Sequence, residues 1–346
     1  KMTARREGTD PGGEGPQQET GEAGGWEEAG KPKDAGQAGA ADTGQTHEAP
    51  GPAQGNGEAS PEEGEAVGSS QALAGAAGGR FPGLGIRMEK LADYDYMMQN
   101  FYSIHPTTTA GRELMDAEHF LAMDLSLDQG NGRDGSTAQT APKEPQILIY
   151  HTHSQESYKN SKKDENVVAV GQKLTDLLTE KGWNVYHDTT VYDLAVGKLD
   201  RSRAYTYALE GINEILARYP SIQVVLDIHR DGVGEDVYLK TEIGGQPSAR
   251  IMFFNGLSQT PEGPISYLAN PFREDNLAFS LKLQLKAEEY YPGFTRKIYL
   301  KGLRYNQHLR ARSALVEVGA QTNTFEEACN AMMPLAELLD MVLQGK

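Results

Sequence analysis

Apolar residues are scarce and unpatterned through the first 80 positions, and they recur at helix and strand periods from Phe81 onward. Two helical stretches are predicted in the lead-in, around Met88 to Tyr102 and Ala110 to Leu125, followed by a Gly/Asp/Ser/Thr-rich loop from Asp128 to Thr140. After Pro145 the pattern changes. The run Ile147 to Tyr150 has the length and branching of a buried strand. Val167, Val170, Leu174 and Leu177 then mark one face of a helix that Gly182 is placed to stop, and Trp183 to His187 reads as a second strand. Ala204, Ala208, Ile212 and Ile215 line a helix from Arg201 to Arg218, which leads through Tyr219-Pro220 into a strand at Ile222 to Ile228.

A hairpin is predicted over Asp236 to Phe254, broken by Gly244-Gly245-Gln246-Pro247, with its second arm, Ile251 to Phe254, joining the main sheet. A helix at Asn276 to Tyr290, a short strand near Ile298 and a buried strand at Ala314 to Val318 follow. The last helix opens on Thr324 and Glu327, a capping-box spacing, and runs toward Leu343 with a kink or restart expected at Pro334. Strands alternating with helices predict an α/β fold, a mostly parallel twisted sheet with helices on both faces. Three regions are expected: a disordered acidic linker at 1–80, a small helical lead-in subdomain at 81–141, and a catalytic domain at 142–346.

Composition explains why the first region lacks a pattern. It holds 19 of the 39 glycines and a single aromatic residue, Trp26, too little apolar surface to offset the entropy of ordering it. It also holds 14 acidic and 6 basic residues, half of the formal charge of −16, so the remainder is equally acidic. Such a chain has little to offer a phosphate backbone, and nucleic acid is not expected as a partner. Cys329 is the only cysteine, which rules out an internal disulfide and a thiolate metal cluster. No run reaches the roughly 18 apolar residues a spanning helix needs.

Chemistry in an open parallel sheet gathers beyond the carboxyl ends of its strands. Three such ends carry reactive groups: Tyr150 runs into His151-Thr152-His153-Ser154-Gln155-Glu156, Ile228 into His229-Arg230-Asp231, and Val316 into Glu317. His153 and Glu156, at His-x-x-Glu spacing, together with His229 form a two-histidine, one-carboxylate set that leaves a fourth position open for water, as catalytic zinc requires. Glu317, at the end of a buried strand, is placed to act as general base. His151 competes with His153, since residues two apart on an extended strand face one way, and Glu165 competes with Glu156 as the carboxylate ligand.

With these residues assembled, the chain resembles the stage II sporulation protein P family over about residues 142–330. The likeness rests on IYHTHSQESY from Ile149, NVVAVGQKL from Asn166, HDTTVYD from His187, YPSIQVVLDIHRDGV from Tyr219, and RYNQHL and LVEVGAQTNTFEEA near the end. In plan it is also similar to zinc N-acetylmuramoyl-L-alanine amidases and metallocarboxypeptidases.

The resemblance implies a Zn2+ hydrolase that cleaves the amide between muramic acid and L-alanine in peptidoglycan, with endopeptidase activity on cross-links, acting in engulfment during sporulation. It further implies stage II sporulation proteins D and M as partners, and an extracytoplasmic location with a membrane anchor N-terminal to this chain. Residues 1–80 would then let an anchored enzyme reach across a thin wall layer. Arg230 and Asn306 match the family pattern as substrate-binding residues, whereas His308 stands where the family has an acidic residue. A carboxypeptidase-like peptidase and a non-catalytic wall-binding module are the alternative readings.

Overall fold

The structure, a computed structural model, describes residues 88–129, 144–194 and 197–346. The expected linker at 1–80 and most of the loop Asp128 to Thr140 lie outside these residues. In the lead-in, α1 (Met88–Leu91) is followed by α2 (Tyr94–Phe101), which starts where the Asp93 carboxylate accepts the Tyr96 N–H. The chain then extends directly into β1 (Tyr102–Ile104). The second predicted helix is shorter than its apolar pattern suggested: α3 spans Ala117–Ala122, because Asp116 caps it by accepting the His119 N–H and Met123 turns extended.

The alternating region begins with β2 (Ile147–Tyr150). Asn166 then caps α4 (Val167–Glu180) by accepting from Val168 and Ala169. Its buried stripe is Val167, Val170, Leu174 and Leu178, with Leu177 at the margin. Gly182 ends the turn at φ +93°, ahead of β3 (Val185–His187). Helix α5 (Arg201–Arg218) is capped by Asp200, and β4 (Val224–Asp231) runs three residues past the predicted end.

The predicted hairpin resolves into three strands. β5 (Lys240–Ile243) and β6 (Gln246–Ala249) pair only with each other, and β7 (Ile251–Gly256) enters the main sheet. Two-residue strands β8 (Gln259–Thr260) and β9 (Gly263–Pro264) form a small ribbon before α6 (Arg273–Tyr290). Next come β10 (Ile298–Lys301) and β11 (Arg312–Ala320). The Thr324/Glu327 capping box starts α7 (Phe325–Asn330), and α8 (Met332–Leu343) closes the fold. Of the kink or restart expected at Pro334, the structure has the restart: the helix breaks at Ala331, which leaves the proline in the first turn of α8, where its missing N–H costs nothing.

The sheet order is β1-β10-β7-β11-β4-β2-β3, and every neighbouring pair is parallel except β7 and β11. This is the α/β architecture that the alternating pattern implied, with α5 on one face and α4, α6 and α8 on the other. Strand alternation divides the core accordingly. Ile147, Ile149, Val224, Leu226, Ile228, Val316 and Val318 join the larger cluster under α4, α6 and α8. Leu148, Tyr150 and Val225 meet Ala208, Ile212 and Leu216 of α5. Truncating a fully buried member such as Ile149 to alanine would cost about 2–5 kcal/mol. Burial on both faces thus fixes the strand register, and register decides which side chains share the face described next.

Candidate metal centre

Parallel pairing sets Glu317 of β11 opposite His229 of β4, and Leu315 opposite Asp227, while Tyr150 of β2 pairs with Asp227 from the other side. Asp227, His229 and Glu317 therefore rise from one face of the sheet. Beyond Tyr150 the chain leaves the sheet and turns through residues 151–156, bringing His153 and Glu156 back over that face.

His153 Nδ1 lies 3.5 Å from Glu156 Oε1, and His229 Nδ1 lies 3.5 Å from Glu156 Oε2. One ligand atom from each residue falls within 4.8 Å of the others, and all three residues are buried. Two donors bound at 2.0–2.1 Å to a tetrahedral ion sit roughly 3.4 Å apart, so the spacing fits a zinc-sized cation. The donor set attracts positive charge as it stands: the Arg201 guanidinium bonds Glu156 Oε1 and lies 3.5 Å from His153 Nδ1. Burial alone would raise the Glu156 pKa, but His153 and His229 outweigh it and hold the carboxyl well below its usual range.

Supporting residues orient the donors. His229 Nε2 lies 2.8 Å from Asp227 Oδ1, close enough for an ion pair although off the axis of a ring N–H, and charge carries the contact. Thr152 fixes the Asp227 carboxylate through its N–H at 2.9 Å and its hydroxyl at 2.6 Å. Burial would lower the His229 pKa, but Asp227 and then Glu156 raise it well above the histidine range. Asp193, fully buried, accepts from the Ser154 hydroxyl at 2.7 Å and the Gln155 N–H at 3.1 Å, which pins the turn between the two β2-side donors. Tyr205 of α5 packs edge-on to His153 at 5.5 Å and parallel to His229 at 6.5 Å.

The two competitors named from sequence are engaged elsewhere. His151 lies on the opposite face of the sheet against Gly171 of α4, donating from Nδ1 to the Ile228 carbonyl at 3.0 Å, with Nε2 2.9 Å from His187 Nε2. Glu165 accepts the Lys162 N–H at 2.9 Å and pairs with its ammonium at 3.0 Å. Glu317 faces the centre with Oε2 buried and without a hydrogen-bond partner among the described residues. Burial first and Asp231 second push its pKa up to about 8, against the opposing pull of His229.

Arg230 and Asn306 turn their polar ends to protein backbone. Arg230 donates to the Ser157 and Asp231 carbonyls at 3.0 and 3.1 Å, and its own N–H donates to Glu156 Oε2 at 3.0 Å. Asn306 donates to the Tyr205 carbonyl at 2.9 Å. His308 is half-buried and lowered to about 4 by burial and by Arg304. A separate cavity of about 350 Å³ lies among Ala92, Tyr94, Arg112, Met115 and Asp116 of the lead-in, away from this chemistry.

Asp227, Thr152, Asp193, Arg201 and Tyr205 had not been assigned roles from sequence. Asp227 carried a usable signal, since it lies two residues before His229 in a strand and so shares its face.

A family model described as Stage II sporulation protein P matches residues 81–340. The chain belongs to that family. The stage II sporulation protein P of Bacillus subtilis (strain 168) is 27% identical over 226 residues, which is 60% of this chain and 53% of that protein. The chain thus spans about half the length of this curated relative. Among solved structures, the CwlD amidase of Clostridioides difficile in complex with the GerS lipoprotein is similar at TM-score 0.39 and 17% identity, covering 58% of this chain and 97% of that one. The catalytic domain of CwlV, an N-acetylmuramoyl-L-alanine amidase of Bacillus (Paenibacillus) polymyxa var. colistinus, reaches TM-score 0.34 at 15% identity, covering 58% and 97%. The stretch matched by the stage II sporulation protein P family includes α1, α2, β1 and α3 as well as the alternating region.

Proposed function

We propose that this chain is a zinc-dependent peptidoglycan hydrolase of sporulation that cleaves the amide joining N-acetylmuramic acid to L-alanine. The observation that carries this reading is the pair of 3.5 Å spacings that link His153, Glu156 and His229, with Glu317 directly across the strand pair from His229. His153 Nδ1, a Glu156 oxygen and His229 Nδ1 would hold the ion. The chemistry zinc supplies when bound is Lewis-acid polarisation of the amide carbonyl and a lowered pKa for an adjacent water.

The remaining work falls to side chains. Glu317, half-buried with its Oε2 out of solvent, takes the proton from the attacking water and delivers it to the departing amine nitrogen. Asp227 keeps a proton on His229 Nε2, which leaves the Nδ1 lone pair aimed at the donor set. Tyr205 shields the histidines on one flank. Family membership supports a place of action at the cell wall outside the cytoplasm, and endopeptidase activity and stage II sporulation proteins D and M as partners belong to the same proposal. Among the described residues no helix is long and apolar enough to cross a membrane.

Purified sacculi incubated with the zinc-loaded chain should release intact stem peptides and expose free muramoyl groups. Glu317→Gln should bind zinc stoichiometrically yet lose about 10²–10⁴-fold in rate. A zinc-loaded protein that leaves sacculi uncut would sink the proposal in favour of a wall-binding module.

A further inference from the structure

Arg201 stands among the donors of the candidate metal centre, and its own helix does not explain why a cation is there. It is the first residue of α5, whose first turn carries Arg203 as well and no acidic residue. Both arginines face the positive end of the helix dipole, where an acidic side chain would be favoured. For Arg201 the compensation lies at the far end of the side chain. Its guanidinium bonds Glu156 Oε1 and lies 3.5 Å from His153 Nδ1, so it reaches two of the three donors.

Burial gives this contact its weight. The side chain of Glu156 is 4% exposed and that of His153 8%, and an ionised carboxylate so far from water has to be paired. Glu156 Oε2 accepts the Arg230 N–H at 3.0 Å, while Oε1 has the Arg201 guanidinium. The arginine is also placed by the residues that place the donors. Asp200, the cap of α5, donates its N–H to the Asp193 carbonyl at 2.8 Å, and the Asp193 carboxylate holds Ser154 and Gln155. One aspartate thus fixes both the turn that carries His153 and Glu156 and the helix start that carries Arg201.

The same contacts create a competition. His153 Nδ1 has a single lone pair, which can face the guanidinium or a metal ion but not both. A divalent ion within bonding reach of that nitrogen would also repel a guanidinium 3.5 Å from it. Arg201 has a way out, since its side chain is 25% exposed and a long side chain reaches solvent by changing rotamer without moving its helix.

We propose that Arg201 is a positioning residue that holds Glu156 and His153 together as a resident cation and yields them to the metal, so that its charge sets the affinity of the centre. This rests on the metal-binding part of the hydrolase reading and deepens it: the donors are gathered before loading, and the ion binds less tightly than the same donors would allow alone. A charge-assisted hydrogen bond that must break on loading corresponds to roughly tenfold or more in affinity.

The test measures zinc binding by chelator competition on the full chain, as wild type, Arg201→Gln and Arg201→Lys, with thermal melts in chelator and in excess zinc. Arg201→Gln should bind zinc about tenfold tighter or more, its metal-free form should melt below the wild type, and excess zinc should narrow that gap. Arg201→Lys, which keeps the charge, should fall between the two on both readouts. Nitrogen NMR of the wild type, which needs no variant to fold, follows the guanidinium directly: one hydrogen-bonded arginine signal should move into solvent exchange as zinc is added. A Kd for Arg201→Gln equal to or weaker than wild type overturns the competition, as does a set of guanidinium signals that zinc leaves unmoved. An equal loss of Tm with and without zinc overturns it too, because a merely structural role predicts that result. Zinc binding that depends on Arg201, with sacculi left uncut by the loaded wild type, overturns the hydrolase reading alone. No zinc binding by any of the three proteins overturns both.

Discussion

Replacing Asp227 with asparagine changes one oxygen to an amide nitrogen at a buried position and should weaken zinc binding without touching a ligand. The carboxylate now accepts two hydrogen bonds from Thr152, at 2.9 and 2.6 Å, and faces His229 Nε2 at 2.8 Å. Oδ1 takes both the Thr152 N–H and His229 Nε2, and Oδ2 the Thr152 hydroxyl, so an asparagine with its NH2 toward that hydroxyl keeps the three contacts but loses the negative charge that holds a proton on Nε2. Without that charge the imidazole proton is free to move to Nδ1. That tautomer points N–H rather than a lone pair at Glu156, the wrong state for a ligand.

Losses of this kind cost 10–100-fold in metal affinity, about 1.4–2.7 kcal/mol. At a free zinc concentration of 100 times the wild-type Kd, zinc stabilises the native protein by about 2.7 kcal/mol, and the variant would keep about 0.4–1.4 kcal/mol. For a folded region of this size the zinc-induced rise in Tm should shrink by roughly 3–9 °C. Chelator competition at 25 °C measures the affinity directly, and thermal melts with and without zinc supply the second readout. A variant Kd within twofold of wild type would refute the assignment of Asp227 as the group that sets the His229 tautomer.

Glu317 should also leave a mark on stability when the protein is metal-free. Its folded pKa of about 8 lies above the ordinary 4.5, so the folded state holds the proton more tightly. The associated stability is fully present below about pH 4.5 and is lost as pH rises through 8, up to a few kcal/mol in all. Urea midpoints of wild type and Glu317→Gln in chelator should therefore diverge between pH 5 and 9, with the variant gaining relative stability, and a pH-independent difference would contradict the burial argument. Gly319 has φ +61° at the irregularity where β11 slips register between Glu317 and Ala320, and an added Cβ would lie 2.7 Å from Asn323 Oδ1 and 2.9 Å from Ala249 Cβ. Gly319→Ala should lower stability by about 1–3 kcal/mol and disturb Glu317 two residues away; an unchanged Tm would count against a strained turn there.

Much of this could be read from the chain, and the failures have physical reasons. β2, α4, α5 and β4 announce themselves because apolar residues at their interior positions are buried on at least one face for a full element. β1 left no such signal, since three residues directly after a helix cannot display a period. The antiparallel placement of β7 between β10 and β11 was also hidden, because partner choice is a property of the assembled sheet. At the site, the two-residue spacing of His151 and His153 suggested that they share a side. The strand ends at Tyr150, however, and the turn that follows leaves one ring on the α4 side of the sheet against His187 and carries the other over the opposite face toward Glu156. Arg201 had no local cue at all, since it reaches the donors from the first turn of a helix 45 residues downstream of Glu156.

The outermost strand bears on how the molecule tolerates cutting. β1 lies against β10 from Tyr102 opposite Ile298 to Ile104 opposite Leu300, and Met97, Phe101 and Phe120 are packed into the common core. A shortened protein starting at residue 142 would strip one side of β10 of its backbone partners and bare the apolar ground beneath those three side chains. Its raw edge would be free to zip onto another copy, so the smallest soluble piece of this protein should begin ahead of Met88.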